Sequence, residues 1–187
     1  MSDYTDEFLG ILARTFEIEG GIADIKEDRG GFTNLGITIP FLQEYYNRTQ
    51  PGRVATQSDI ANLTKPTAAD AYWVNIWIGM NMPNFPVWAR EALFNSACGS
   101  LYLFGRMVRA LQAYVGTIVD GQWGPMSMKA AEALNPQPPR RGSNDMINVL
   151  CQQYELIVNN DSSQHIFALG WYNRAFKLFD FGYGDGR

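Results

Sequence analysis

The 187-residue sequence is short of the residues from which hydrolytic and metal centres are most often built, with one histidine, His165, and two cysteines, Cys98 and Cys151. A histidine-based triad or a zinc–histidine cluster would need His165 to meet partners that its neighbourhood does not supply, so a surface or packing role is expected for it. Cys98 and Cys151 stand in apolar surroundings without Cys-x-x-Cys spacing, which predicts buried free thiols rather than a disulfide or a metal site. No metal and no cofactor is therefore expected. No run approaches the roughly 18 apolar residues of a membrane span, so membrane insertion is not expected. Asp3, Asp6, Glu7 and Glu17 in the opening segment predict that there is no secretory signal peptide. Positive charge is also scarce: 15 Lys and Arg against 19 Asp and Glu leave a net charge of -4. That balance excludes the clustered basic surface that nucleic acid demands.

Apolar side chains are plentiful, at 46% of residues with 13% aromatic, so the chain can bury a sizeable core and is not disordered. The rest is arranged around Phe16-Glu17-Ile18-Glu19-Gly20-Gly21. The preceding segment carries Phe8, Ile11, Leu12, Thr15 and Phe16 at the spacing of one helical face. At about 100° per residue, Phe8, Leu12 and Glu19 fall within roughly 40° of one another, so a carboxylate occupies a place on the apolar stripe. Gly20-Gly21 predicts the helix stop. A carboxyl group at the negative end of a helix, in apolar surroundings, should have a raised pKa, which a general acid requires. The alternative is a solvated helix-end glutamate, as expected for Glu7 and Glu17.

Glu19-Gly20-Gly21, then Asp28-x-Gly30-Gly31-x-Thr33-Asn34-x-Gly36-Ile37-Thr38, then Tyr72 with Trp77, resemble glycoside hydrolase family 108, the muramidases of phage endolysins and phage particles. Asp120-Gly121-x-x-Gly124-Pro125 and Gly170-Trp171-x-Asn173-Arg174 resemble the peptidoglycan-binding part that follows in that family, so the resemblance runs from about Phe8 to Arg174. It implies that Glu19 is the general acid and Asp28 the second catalytic group, with Thr33 or Thr38 holding a water. The Glu19-x8-Asp28 spacing with a following Thr is similar to that of phage T4-type lysozymes. The alternatives are a solvated charge for Asp28 beside Arg29, and a hairpin-pinning role for either threonine. The resemblance also implies substrate contacts from Asn34, Tyr72, Trp77, Asn95, Asp120 and Trp123. For Tyr72 and Trp77 packing in the core competes with stacking on sugar rings. The family has an Asp near Asn95 and an Asn where this chain has Cys98, so only Asn95 is left to replace that second polar group.

Along the chain, two Gly pairs around Ile22-x-x-Ile25 predict a small β-hairpin near residues 22–38, and Pro40 opens a helix through Tyr46. Short helices follow near Ser58, a candidate cap, and from Thr64 to Trp77. Val87 to Gly99, Leu101 to Val115, Ser127 to Leu134, Asp145 to Val158 and Ile166 to Phe179 complete the helical set. Residues 135–144, with Pro136, Pro138, Pro139 and Gly142, read as a loop between lobes.

The fold implied is mainly α, lysozyme-like and two-lobed, with the hairpin beside an active-site cleft. Residues 1–118 are expected to form the catalytic region, and 119–187 a peptidoglycan-binding-like helical region packed into the same unit. The activity implied is cleavage of the β-1,4 bond between N-acetylmuramic acid and N-acetylglucosamine, with glycan strands of peptidoglycan as partner. A lytic transglycosylase on the same bond, or an inactive particle or wall-binding component, are the alternatives. Without a signal the protein is expected to reach the wall from the host cytoplasm through a holin-type pore, as a monomer, or within the phage particle beside other particle proteins.

Overall fold

The computed structural model describes residues 3–19, 23–24, 32–134 and 139–184, with the side chains of 19, 23, 24, 32, 139–140 and 180–184 left aside. The chain divides into two compact units at Met82/Pro83. Residues 83–118, expected with the catalytic region, fall in the second unit.

In the first unit α1 (Asp6–Glu19) presents Phe8, Ile11, Leu12 and Thr15 inward, all nearly inaccessible, as the helical spacing requires. Strands β1 (Ala23–Asp24) and β2 (Phe32–Thr33) pair antiparallel, with Ala23 opposite Thr33 and Asp24 opposite Phe32. This pair is all the sheet structure among the described residues. Helix α2 (Ile39–Thr49) starts on a cap from Thr38, and Pro40 sits in its first turn, where a missing N–H costs nothing. Helix α3 (Gln57–Ala61) is capped by Thr56, which exchanges bonds with Asp59 in a capping box. The cap is therefore Thr56 and not Ser58, because only Thr56 has its partner carboxylate three residues on.

Helix α4 (Lys65–Tyr72) runs without a break into a π-helical segment, Trp73–Ile78. The extra residue per turn leaves Trp73 and Trp77 stacked at 6.2 Å, with the edge of Phe8 against both, at 4.9 and 5.5 Å. Tyr4 joins that cluster and donates its hydroxyl to Asp70 at 2.6 Å.

The second unit is built on α5 (Val87–Gly99), which buries residues all round its surface, Trp88, Ala89, Ala92, Leu93, Phe94 and Ala97 among them. Helix α6 (Leu101–Tyr114) folds back along it, bringing the Tyr114 ring onto Trp88 at 5.6 Å. Helices α7 (Pro125–Leu134), α8 (Pro139–Asn160) and α9 (His165–Gly184) complete the unit. Arg106 bonds Gln153 at 2.7 Å and Tyr114 bonds Asp145 at 2.6 Å, so α6 and α8 run antiparallel. Two expectations are corrected. Residues 139–144, read as part of a loop, open α8, since proline fits a first helical position and arginine is a good helix former. Helix α9 continues through Gly184, past the expected end at Phe179.

Candidate active site

Glu19 is the last residue of α1, four positions beyond the buried Thr15. The Thr15 hydroxyl is fully buried and returns its proton to the Ile11 carbonyl at 2.9 Å. The glycines expected to cap α1, and Asp28, lie outside the described residues.

The turn Asn34-Leu35-Gly36-Ile37 directly follows β2. Asn34 and Ile37 exchange backbone bonds of 3.2 and 2.9 Å, and both central residues have positive φ, Leu35 at 53° and Gly36 at 75°. This is the hairpin type of turn, which glycine enters freely and leucine does not. Three bonds fasten it. The Asn34 side-chain amide donates to the Ile60 carbonyl at 3.1 Å, the Tyr72 hydroxyl donates to the Leu35 carbonyl at 2.9 Å, and the Phe41 N–H donates to the Thr38 hydroxyl at 3.3 Å. Thr33 is half-buried just before the turn and pairs with Ala23.

The candidate residues thus divide. The first unit holds Thr33, Asn34, Thr38 and Tyr72 in or beside one turn, and the end of α1 belongs to the same unit. Asn34 is 8% exposed, and its amide holds α3; Tyr72 and Trp77, at 0% and 1%, are enclosed by Phe16 and Phe41 and by Phe8 and Trp73 respectively. Both rings pack among aromatic neighbours of the first unit.

Asn95, Asp120 and Trp123 belong to the second unit. Asn95 is 1% exposed on α5, where its amide nitrogen donates to the Glu91 carbonyl at 3.0 Å and its side-chain oxygen has no partner among the described residues. Trp123 stacks on Phe85 at 5.0 Å and donates its indole N–H to the Asn84 carbonyl at 3.0 Å. Asp120 is exposed, and its carboxyl is held below the usual carboxylate range, first by the Gln122 backbone N–H and then by the Gln112 amide. Phe85 and Gln112 went unnoticed in the sequence; only Gln112, a polar residue on the apolar face of α6 beside Val108 and Leu111, left a periodic trace.

Among the described residues no group of three or more His, Cys, Asp or Glu side chains is placed to hold a metal ion, and no helix is long and apolar enough to cross a membrane.

Residues 12–100 match the family model of glycosyl hydrolase 108, a stretch that begins in α1 and ends just after α5. The structure of SagA from Brucella abortus resembles the chain with a TM-score of 0.74 and 27% identity, over 96% of this chain and 95% of that one. No curated protein matches. The family match supports glycoside hydrolase activity, and the mainly helical fold is shared with SagA over nearly its whole length.

Proposed function

We propose that the protein is a family 108 muramidase that cleaves the β-1,4 bond between N-acetylmuramic acid and N-acetylglucosamine in peptidoglycan. The observation that carries the reading is that the family match, residues 12–100, contains both the end of α1 with Glu19 and the fastened turn that holds Thr33 and Thr38. Glycoside hydrolysis needs one carboxylic acid to protonate the leaving oxygen and a second group to stabilise the oxocarbenium ion or activate water. Glu19 takes the first role, on a helix face otherwise made of Phe8, Ile11, Leu12 and Thr15. Asp28 takes the second, with the half-buried Thr33 hydroxyl as the side chain that orients water. Thr38, whose hydroxyl accepts from Phe41, serves to start α2. We assign the protein to phage lysis or entry, acting on the host wall.

Glu19→Gln tests the reading. It keeps shape and hydrogen-bonding capacity but removes the transferable proton, so lysis of permeabilised cells should fall by about 10²–10⁴-fold. Melting temperature should hold or rise, because a neutral amide is cheaper to bury than an ionisable carboxylate. A Glu19→Gln protein that melts earlier yet still digests peptidoglycan would sink the mechanism. Mass spectrometry of the digest separates hydrolysis, which leaves reducing ends, from transglycosylation, which leaves 1,6-anhydro ends.

A further inference from the structure

We infer that Tyr72 is a positioning residue of this site: its hydroxyl holds the Asn34–Ile37 turn in a conformation that Leu35 resists, and its ring ties that turn to α1. The inference rests on the muramidase reading for its consequence in catalysis, and on geometry alone for the clamp.

Leucine at φ 53° crowds its Cβ against the backbone, a cost that persists only where surrounding structure imposes the conformation. The Leu35 carbonyl is the atom that the Tyr72 hydroxyl reaches, at 2.9 Å. Tyr72 is wholly buried, so that phenol has given up water, and a group in this situation holds its protein partner firmly. The same ring lies 6.2 Å from Phe16, edge-on, and 5.4 Å from Phe41. Phe16 stands three residues before Glu19 on α1, and Phe41 donates its N–H to Thr38 at the other end of the turn. A single side chain therefore touches the helix that ends in the proposed acid, the strained residue between Thr33 and Thr38, and the first turn of α2. Its placement follows from the switch at the end of α4: Tyr72 is the last α-helical residue, and the π-helical segment beyond it directs Trp73 and Trp77 to α1. A ring that merely filled this space would serve equally well as phenylalanine. The hydroxyl is what couples it to the turn.

The test compares wild type, Tyr72→Phe, Leu35→Gly and the double variant in the full chain, reading kcat and KM on peptidoglycan and hydrogen exchange at the Ile37 N–H. Tyr72→Phe should lower kcat on the order of tenfold while KM stays within about twofold, and the Ile37 N–H, bonded to Asn34, should exchange faster. Glycine takes the positive φ unaided, so in the Leu35→Gly background the same substitution should change kcat by about twofold or less. Wild-type kcat and unchanged Ile37 exchange in Tyr72→Phe would overturn the inference, as would equal losses in both backgrounds. A wild-type protein that leaves peptidoglycan intact would defeat the muramidase reading instead, and the exchange measurement would still decide whether Tyr72 clamps the turn.

Discussion

The side-chain amide of Gln112 donates to the Asp120 carboxylate at 2.8 Å, and through that bond a buried residue of α6 shapes a loop eight positions later. The same nitrogen reaches the Gln122 carbonyl at 3.0 Å, and the Gln112 oxygen accepts from the Gly121 N–H at 2.8 Å. Asp120 accepts in turn from the Gln122 N–H at 2.8 Å, while Arg109 donates to the Val119 carbonyl at 3.1 Å. Two roles meet in Gln112, donor and acceptor, and no apolar or carboxylate side chain supplies both. Much of what the Asp-Gly-x-x-Gly pattern does in this chain is hold its own loop, with Trp123 set on Phe85 at its end.

Gln112→Leu should therefore destabilise by about 1–3 kcal/mol, since it leaves the Gly121 N–H without its buried acceptor. Gln112→Glu should be no better, because it sets a second carboxylate against Asp120. Urea melts check both, and a variant within about 0.5 kcal/mol of wild type would show that the loop stands without Gln112.

Acid should expose the capping box of α3. Asp59 accepts from the Thr56 hydroxyl at 2.6 Å and from Arg53 at 2.7 Å, and these bonds, the hydroxyl first, bring its pKa down from 3.8 to about 2. A carboxyl group with a lower pKa folded than unfolded contributes stability above its unfolded value and loses it as pH falls through the folded one. Its contribution is thus complete above about pH 4 and fades between about pH 4 and pH 2. In Asp59→Asn the loss of stability should be greatest at neutral pH and shrink toward pH 2. Denaturation at a series of pH values reads the difference directly, and a pH-independent gap would assign Asp59 a purely steric role.

The apolar periodicity of α1, α5 and α6 made these helices legible, because each buries one or more faces at helical spacing. The start of α8 was hidden because Pro139, Arg140, Arg141 and Gly142 look like a linker until the helix they open is packed. Tyr72 and Trp77 illustrate a different limit. An aromatic residue that packs and one that stacks on a sugar are the same letter at the same spacing, and only enclosure by Phe16, Phe41 and Phe8 separates the cases. At the turn, Asn34-Leu35-Gly36 announces a reversal, yet composition gives no reason for Leu35 to take a positive φ beside a glycine that would do so freely. That conformation comes from contacts with Tyr72 and Ile60, which lie 37 and 26 residues away from the residues they hold.

Two glycines, one inside a helix and one at a helix end, should respond to alanine with opposite sign. In the interior of α6, a methyl group on Gly105 meets nothing within 4 Å, so Gly105→Ala should stabilise by about 0.5–1 kcal/mol through backbone entropy. Gly79 follows the π-helical segment, where a methyl group would run into the carbonyl oxygens of Val74 and Asn75 and the Arg48 guanidinium. Gly79→Ala should destabilise by more than about 1 kcal/mol, because two of the three obstacles are backbone. Thermal melts of the two variants decide it, and a stabilised Gly79→Ala would mean that the π-helical segment relaxes to an ordinary α-helix.

The remaining prediction concerns the second catalytic group. Asp28 lies in the sequence between Asp24 and Phe32, which are paired across β1 and β2. If its work is chemical, Asp28→Asn should lower peptidoglycan turnover by orders of magnitude, about 10²-fold or more, while the melting temperature hardly moves. A chelator should leave wild-type activity intact, since two carboxyl groups and a water suffice for glycoside hydrolysis. Thr33→Ala in the same assay separates the two members: loss of an oriented water should be milder than loss of the carboxylate that acts on it. Near-full activity in Asp28→Asn would return Asp28 to a solvated charge and leave Glu19 as the sole carboxyl group of the mechanism, which is the situation a transglycosylase tolerates and a hydrolase with two acting carboxyl groups does not. The same digest, examined for 1,6-anhydro ends, would then show which reaction the protein performs.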